Sequence, residues 1–376
     1  MIAASDSLAV DAPPLQPACA PAGLGALAAR WVPAARWDEV RAEWEGLAAA
    51  AAESNVFLAP GFALAVRGAV TSAGLGALMV TRDGLPIGLV AGRFNLLGSV
   101  FSLWTHDYAP YGMPLVRPGE AGAVIGALLS FLAEKGVAAL EVPLLDPGPL
   151  AEALEALGTR HPTFVLDAHC RAVLTEAPPP LSKEHRRLAR RLGEQGRLQT
   201  VSTATGYALP AAVVAFLALE AKGWKGRRGT ALAATPATRA FFEEAVAGLA
   251  SRGAAQIDML LLDGKPIAAG LVLTAGTRAW YLKTAYDEAF ARFSPGLLLS
   301  HAIGAAAFGA SGVRFVDSCA IPGHPMIERI WPGRMALATR FIAVAERPPG
   351  VRFRVALAWR RGLAAAKVLA KRWLRR

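Results

Sequence analysis

The sequence predicts an α/β (α+β) protein made of two copies of one domain, each a mixed, mainly antiparallel sheet flanked by helices. The stretches "RDGLPIGLV" and "LDGKPIAAGLVL" share an Asp-Gly-x-Pro-Ile phrase that begins at Asp83 and again at Asp263. Asp-Gly between apolar runs indicates a hairpin, because glycine accepts the positive φ of the turn. Gly136 and Gly312, which end the next helical pattern of each half, are 176 residues apart, close to the 180 between the aspartates.

The elements after each hairpin follow in the same order, which indicates a duplication. They are a third strand (99–104 and 278–286), a helix (119–136 and 295–312) and a further strand (137–145 and 313–320). Apolar spacing near 3.6 residues predicts helices over 182–196, 207–224 and 235–253, with Ser182 and Thr235 as N-caps.

Three consecutive prolines in "TEAPPPLSKEH" (175–185) mark the break between the halves. We therefore predict domains over 31–177 and 178–345. The Ala/Pro-rich segment 1–30 is predicted to be disordered, and 346–376 is predicted to be a basic amphipathic helix.

The composition excludes several classes of protein. Three scattered cysteines and the lack of zinc-ligand spacing argue against a disulfide framework and a metal site, and favour a reducing compartment. Residues 1–28 lack the features of a signal peptide, so a cytoplasmic location is expected. The run 296–313 is long enough for a membrane span, but it is rich in Gly and Ala and contains His301, which favours a buried core helix.

The repeated order of elements resembles tandem GNAT-type N-acyltransferase domains. Residues 37–66, 219–232, 286–303 and 315–334 are similar to successive segments of the CelD-type (cellulose-biosynthesis-associated) members of that superfamily, which are related to FemAB-type aminoacyltransferases. The resemblance covers about residues 35–340. It implies a GNAT-like fold in both halves, acyl-CoA (acetyl-CoA or a longer acyl group) as co-substrate, and an amine acceptor.

One motif departs from the superfamily pattern. The phosphate loop R/Q-x-x-G-x-G/A corresponds here to residues 292–296, "RFSPG", which lack the second glycine. The first half has no such loop in "YGMPLVRPGEAGAV" (111–124), so the second half is predicted to be catalytic.

Donor anchoring is predicted at the start of the helix that begins near residue 295. Ser294-Pro295-Gly296 is typical of an N-cap, an N1 proline and a small residue, and a helix N-terminus favours phosphate. Arg292, Ser294, Gly296 and Leu297 are the predicted donor-binding residues. The alternative is that this stretch only starts a helix.

The acceptor side is predicted around Glu220, Trp224 and Lys225, where Glu220 and Trp224 share a helix face. Trp224 would form an aromatic wall, Lys225 would bind an acidic group, and Glu220 would act as a catalytic base. The alternative is a helix end with a packed tryptophan and a lysine that reaches to solvent.

The end of the third strand carries Lys283, Tyr286 and Asp287, which the resemblance places beside the cleft where donor and acceptor meet. Lys283 lies among apolar residues and needs a partner, either Asp317 or Glu220. We assign Lys283 to catalysis, and Tyr286 and Asp287 to substrate binding. An exposed strand face is the alternative.

Two further groups of candidates lie in loops. Asp317 and His324 lie at the end of the last core strand and are predicted to be catalytic, because loops at strand ends often carry function. Cys319 between them is expected to be packed, with a nucleophilic role as the alternative. In the first half, the loop 104–116 is predicted to contact substrate or, alternatively, only to pack. Its candidates are His106, Tyr108 and Tyr111.

The C-terminal segment 352–376 has apolar and basic residues in separate sectors of a helical wheel. Val355, Trp359, Leu363, Ala366, Trp373 and Leu374 share the apolar sector, and Arg360, Arg361, Lys367, Lys371, Arg372 and Arg375 lie opposite. This pattern favours contact with an anionic membrane surface, with nucleic-acid binding or packing on the body as alternatives. The other basic helix, 183–197, contains acids and no aromatic residue, so nucleic acid is not an expected partner.

Three functions remain open on this basis. The first is a cytoplasmic enzyme, peripheral on the inner membrane face, that transfers an acyl group from acyl-CoA to a small-molecule, lipid-linked or glycan-linked amine in envelope polysaccharide or lipid biosynthesis. The second uses aminoacyl-tRNA as donor. The third is a non-catalytic membrane-associated factor for polysaccharide biosynthesis.

Overall fold

The computed structural model of the chain describes residues 25–158, 160–308, 312–346 and 348–373. Most of the segment that was predicted to be disordered, residues 1–24, lies outside this range. The prediction extends too far at its end, because Leu27–Pro33 form an edge strand. Trp31 holds that strand in place by stacking on Phe131, with ring centroids 5.7 Å apart.

The helices and strands follow the predicted repeat and add elements that the patterns did not indicate. The helices are α1 (Arg41–Ala50), α2 (Pro60–Val66), α3 (Ala121–Glu134), α4 (Pro149–Leu157), α5 (Lys183–Gly193), α6 (Leu209–Lys222), α7 (Trp224–Arg227), α8 (Pro236–Ala250), α9 (Pro295–Ala307) and α10 (Val351–Trp373). The strands are β1 (Leu27–Pro33), β2 (Leu75–Arg82), β3 (Leu85–Phe94), β4 (Val100–Leu103), β5 (Leu115–Val116), β6 (Ala139–Leu145), β7 (Thr163–Leu174), β8 (Leu198–Ser202), β9 (Ala255–Leu262), β10 (Lys265–Ala275), β11 (Arg278–Tyr286), β12 (Phe315–Asp317) and β13 (Gly333–Ala343).

The two halves share one sheet. Its order within the described residues is β1-β2-β3-β4-β6-β13-β7-β12-β11-β10-β9-β8, and β5 pairs with β3. Strands β4 and β6 are parallel, and so are β11 and β12 at the matching place in the second half. The last strand of each half crosses into the other, since β7 pairs with β12 and β13 pairs with β6.

Both Asp-Gly hairpins are confirmed. Asp83 and Gly84 have φ of 49° and 79°, and Asp263 and Gly264 have φ of 48° and 76°, as a type I′ turn requires. Each aspartate also binds the start of its own half: the carboxylate of Asp83 accepts from the Ala26 amide (2.9 Å), and that of Asp263 accepts from the Arg197 amide (2.7 Å). The repeated phrase therefore both turns the chain and fixes the first strand of each half.

The helix starts and the core helix also agree with the sequence patterns. The Ser182 hydroxyl accepts from the His185 amide (3.2 Å), and that of Thr235 accepts from the Thr238 amide (3.1 Å). The apolar run near residue 300 forms α9, whose residues from Pro295 to Ser300 are buried against the sheet. In the described part of the chain, no helix has both the length and the apolar character that a membrane span needs.

The C-terminal helix α10 packs on the body through residues outside the predicted apolar sector. Phe353, Ala356 and Leu357 are buried beside β6 and β13. Val355 and Trp359, members of the predicted sector, are exposed instead. The side chains from Lys367 onward, including Lys371, Arg372, Trp373, Leu374 and Arg375, lie outside the described residues.

Candidate functional site

A buried carboxylate in the second half is held by two lysines. Glu220, near the end of α6, is 2% exposed. Its Oε1 accepts from Lys225 Nζ (2.9 Å) and Lys283 Nζ (3.3 Å), and its Oε2 accepts from the Leu232 amide (2.7 Å). Burial alone would raise the pKa of Glu220, but the two ammonium groups outweigh it and hold that pKa below its ordinary value. Glu220 is therefore the partner of Lys283.

A β-bulge brings Lys283 to this position. In the pairing of β10 with β11, Leu271 faces Lys283 and Val272 faces Tyr281, so Leu282 is an extra residue. A bulge of this kind redirects the side chains beside it. Burial lowers the pKa of Lys283, although Glu220 partly restores it. The Nζ atom also lies 5.4 Å from the centre of the Tyr108 ring, so the first half contributes to the cluster.

Most of the predicted acceptor residues surround one small cavity. It has a volume of about 30 Å³, room for a water molecule, and its lining includes Glu220, Trp224, Lys225, Thr284 and Tyr286. At its rim, Asp287 and the neighbouring Glu288 make ion pairs with α6 and α7: Asp287 bonds to Lys222 (2.8 Å) and Glu288 to Arg227 (2.9 Å). The structure therefore brings Glu220, Trp224, Lys225, Lys283, Tyr286 and Asp287 together.

Asp317 lies in a different cluster. It is fully buried, and its Oδ2 is 3.2 Å from Arg171 Nη1 and 3.7 Å from Arg278 Nη2. Arg278 also pairs with Asp146 (2.8 Å) and covers the ring of Tyr111 at 4.3 Å. Because these residues come from both halves, the cluster joins the exchanged strands. Arg171, Arg278 and Asp146 are not among the residues predicted from the sequence. The available signal was an arginine within an apolar strand, which holds for Arg171 and Arg278.

The two remaining candidates near Asp317 differ in exposure. Cys319 is partly buried with φ of 53°, and burial raises the pKa of its thiol well above the ordinary value. His324 is half-buried, its Nδ1 accepts from the Ile327 amide (3.4 Å), and burial lowers the pKa of its imidazole. Cys319 is thus a protonated, packed thiol at neutral pH, whereas His324 is an uncharged imidazole.

The loop of the first half contributes one of its three predicted residues to the lysine cluster. Tyr108 reaches Lys283, as described above. Tyr111 is buried beneath Arg278, and His106 packs on Trp104 with ring centroids 5.0 Å apart. Burial, with a smaller contribution from Arg93, lowers the pKa of His106 to about 4. His106 is therefore neutral and belongs to the aromatic core of the first half.

The predicted donor-binding residues start α9, but their helix start is covered. Ser294 has φ of 54° and makes no side-chain cap, in contrast to its predicted N-cap bond. The amides of Leu297 and Leu298 both donate to the Ser294 carbonyl, at 3.0 and 3.1 Å. A Cβ on Gly296 would meet the Tyr286 ring at 3.2 Å. Pro295 has no amide hydrogen to donate to a phosphate, and the Tyr286 ring covers the next residue. This helix start therefore does not fit a diphosphate unless Tyr286 moves. The fourth predicted residue, Arg292, lies over the Phe293 ring at 4.7 Å.

A comparison with protein families matches part of the second half, where most of these residues lie. Residues 181–323 match the family model described as an acetyltransferase (GNAT) domain. The second half is therefore similar to a GNAT acetyltransferase domain. This match supports the prediction of an acyltransferase and confirms the predicted fold class. The matched segment includes Glu220, Lys283 and α9. No curated protein matches the chain.

Several solved structures share the fold over most of both chains, each at 12% sequence identity. FemX has a TM-score of 0.52 and covers 80% of this chain and 95% of its own. A conserved protein of unknown function from Bacteroides thetaiotaomicron has a TM-score of 0.55, with 81% and 96% covered. The C-terminal domain of a putative lysylphosphatidylglycerol synthetase from Agrobacterium fabrum has a TM-score of 0.53, with 85% and 95% covered. These likenesses concern the fold.

Proposed function

We propose that the GNAT domain of this chain transfers an acyl group from an acyl thioester to an amine. The observation that carries the proposal is the Glu220–Lys283–Lys225 cluster at the bulged end of β11, inside the GNAT domain. In the reaction, the amine nitrogen attacks the thioester carbonyl carbon, and the C–S bond then breaks. The nitrogen gives up one proton as the amide forms and the leaving thiolate takes up a proton, so the products are an amide and a thiol.

Lys283 is our candidate for the group that stabilises the anionic oxygen of the tetrahedral intermediate. It is a cation held rigidly in a largely dry place, where a charge acts more strongly than in water. Glu220 is a positioning residue, because its two oxygens already accept from two lysines and the Leu232 amide. Lys225 shares that carboxylate and would bind an acidic group of the acceptor.

Proton removal is assigned to His324 for reasons of access. Of the predicted bases, Glu220 is occupied by three donors and Asp317 is closed in by two arginines. His324 is half-buried and burial lowers its pKa, so its imidazole is uncharged at neutral pH. To accept the proton, its Nδ1 exchanges the long bond from the Ile327 amide (3.4 Å) for the substrate.

We infer that the donor is acyl-CoA and that it displaces Tyr286 from the start of α9 when it binds. The acceptor side would lie near Trp224, Lys225 and Tyr108, between the two predicted domains, 31–177 and 178–345. An acceptor amine on a lipid or glycan precursor agrees with the exposed apolar residues of α10. On this proposal the chain works in the cytoplasm, peripheral on the inner membrane face, and resembles the CelD-type proteins in its role in the envelope.

The test is a thiol-release assay with acetyl-CoA and a long-chain acyl-CoA against a panel of amines. Lys283→Met keeps the length of the side chain and removes its charge, and we expect it to lower kcat at least about 100-fold. Lys265→Met, at the exposed hairpin start of β10, is the matched control and should keep full activity. Equal rates for the two variants would refute the role of Lys283. A wild-type protein that releases no thiol from either donor would refute acyl-CoA as the substrate.

Aminoacyl-tRNA is the second candidate donor, favoured by the covered start of α9 and the missing second glycine. A tRNA presents its acyl group on a ribose, so it does not need a diphosphate at this helix. Transfer of a labelled amino acid from charged tRNA, together with no reaction from acyl-CoA, would establish this alternative.

A further inference from the structure

A groove of about 660 Å³ lies outside the lysine cluster, between α10 and the hairpin of β3 and β4. Its walls are both apolar and cationic. The apolar lining includes Val100, Val351, Val355, Ala356 and Trp359, and the charged lining consists of Arg93, Arg352 and Arg360. The groove therefore combines the two surfaces that an anionic amphiphile requires.

The groove carries more positive than negative charge. Arg360 pairs with Glu141, which also accepts from the Ser102 hydroxyl. Within the described residues, Arg93 and Arg352 have no side-chain hydrogen bond or ion pair. Burial lowers the pKa of Arg360, and the charge of Arg93 adds to this effect, so the two guanidinium groups are close enough to repel each other. An anion beside Arg93 would relieve that repulsion.

The rim of the groove exposes large apolar side chains. Leu96 and Leu97, at the turn between β3 and β4, are 101% and 83% exposed. Across the groove, Val355 is 63% and Trp359 is 69% exposed, one helical turn apart. Isolated exposed apolar residues are ordinary, but a pair of leucines and a tryptophan around a cationic groove form a surface typical of membrane contact.

The matching face of the second half is filled. Trp280 on β11 corresponds to Ser102 on β4, since each pairs with the buried acid of the neighbouring parallel strand. Trp280 packs against Phe57 at 5.6 Å and Tyr111 at 5.9 Å, so residues from the first half occupy this face. The face beside Ser102 therefore stays uncovered in the first half, and the groove is not a feature that both halves share.

We propose that this groove binds the phosphate headgroup and upper acyl chain of an anionic phospholipid at a membrane surface. Arg93 and Arg352 contact the phosphate, while Leu96, Leu97 and Trp359 enter the apolar edge of the bilayer. Nucleic acid fits this surface less well, since two exposed leucines add nothing to phosphate binding. The proposal is independent of the acyl-transfer chemistry, because it concerns residues outside the GNAT domain match.

The experiment measures co-sedimentation of the full chain with two kinds of phosphatidylcholine vesicle. One kind contains no phosphatidylglycerol, and the other contains about 30% phosphatidylglycerol, which makes the surface strongly anionic. We expect binding to the anionic vesicles, and a loss of at least about tenfold in the partition coefficient for Arg93→Glu/Arg352→Glu. The matched control is Arg186→Glu/Arg187→Glu on α5, which makes the same change in net charge at exposed positions and should bind nearly as well as the wild type. Leu96→Ser/Leu97→Ser tests the apolar rim and should weaken binding while the charge is unchanged.

Three results would overturn the proposal. Equal losses in the two arginine variants would mean that binding follows net charge alone, and would overturn the groove. Undiminished binding by the groove variant would place the membrane contact elsewhere, for example on the C-terminal residues. Binding of the wild type to RNA but not to vesicles would overturn the lipid assignment. Thermal melts of all three variants, matched to the wild type, show that any loss is not caused by unfolding.

Discussion

Replacement of Glu220 by glutamine tests whether a buried charge holds the cluster together. The substitution preserves shape but leaves Lys283 and Lys225 without the carboxylate that lies 3.3 and 2.9 Å from their Nζ atoms. Removal of one partner from a buried ion pair typically costs about 3–5 kcal/mol, because the other charge stays buried and unpaired. Lys225 is 21% exposed and Lys283 is 16% exposed, so hydration offsets part of this loss. We expect a decrease of about 3 kcal/mol in the free energy of unfolding at pH 7.

The pH dependence separates this charge effect from simple loss of packing. The pKa of Lys283 in the folded protein is already below its ordinary value, and without Glu220 it falls further. A lysine whose pKa is lower in the folded protein than in the unfolded chain destabilises the folded state at any pH below its folded pKa. This destabilisation disappears as the pH rises toward the pKa of the unfolded chain, near 10.5. The deficit of Glu220→Gln should therefore shrink between pH 7 and pH 10.

Urea unfolding at both pH values measures this deficit, with Glu244→Gln on the exposed face of α8 as the matched control. A deficit below about 0.5 kcal/mol at pH 7 would refute the reasoning, because surface substitutions give changes of that size. A deficit that is the same at pH 7 and pH 10 would also refute it, since lost packing does not titrate.

Three further predictions concern other parts of the molecule. Burial, followed by repulsion from a neighbouring carboxylate, raises the pKa of Glu53 to about 7, so this group should lower stability as pH rises from about 4.5 through 7. Glu53→Gln should then be more stable than the wild type by about 1 kcal/mol at pH 8 and equal to it at pH 4; an advantage at both pH values in thermal melts would contradict this. Asp83→Ala and Asp263→Ala each remove a side-chain hydrogen bond to the start of the first strand and a residue suited to positive φ. Each should lower the free energy of unfolding, measured with urea, by about 1–2 kcal/mol. A loss in only one hairpin would show that the repeats are not equivalent. Met326 also covers the start of α9, since its Sδ would lie 3.5 Å from a Cβ on Gly296. Tyr286→Ala, alone or with Met326→Ala, uncovers that start and should tighten acyl-CoA binding several-fold in calorimetric titration. Weaker binding would mean that the tyrosine itself holds the donor.

The candidate site shows which contacts a local pattern can predict. Glu220 and Trp224 belong together because residues four apart share a helix face, and Lys283 stands out because a charge among apolar strand residues needs a partner. The choice between Glu220 and Asp317 as that partner depended on the bulge at Leu282, which changes the direction of the side chain and leaves no mark in the sequence.

The covering of α9 illustrates a contact that sequence spacing does not predict. Ser294, Pro295 and Gly296 form the expected helix start, and the helix begins where the pattern places it. Whether that start is open to a ligand depends on Tyr286 and Met326, which reach it from other elements. A motif specifies the backbone of its own segment, while access is decided by residues that are distant in the chain.

The duplication, both hairpins, the N-caps at Ser182 and Thr235 and the core helix α9 follow from the sequence, because glycine conformation, side-chain capping and apolar period act within a few residues. The tertiary structure alone decides that β7 and β13 exchange between the halves, that Asp317 is neutralised by arginines from both, and that α10 packs through Phe353 and leaves Trp359 exposed. Each of these depends on which of several equally apolar or oppositely charged surfaces meet, and that choice is made by the packing of the whole chain.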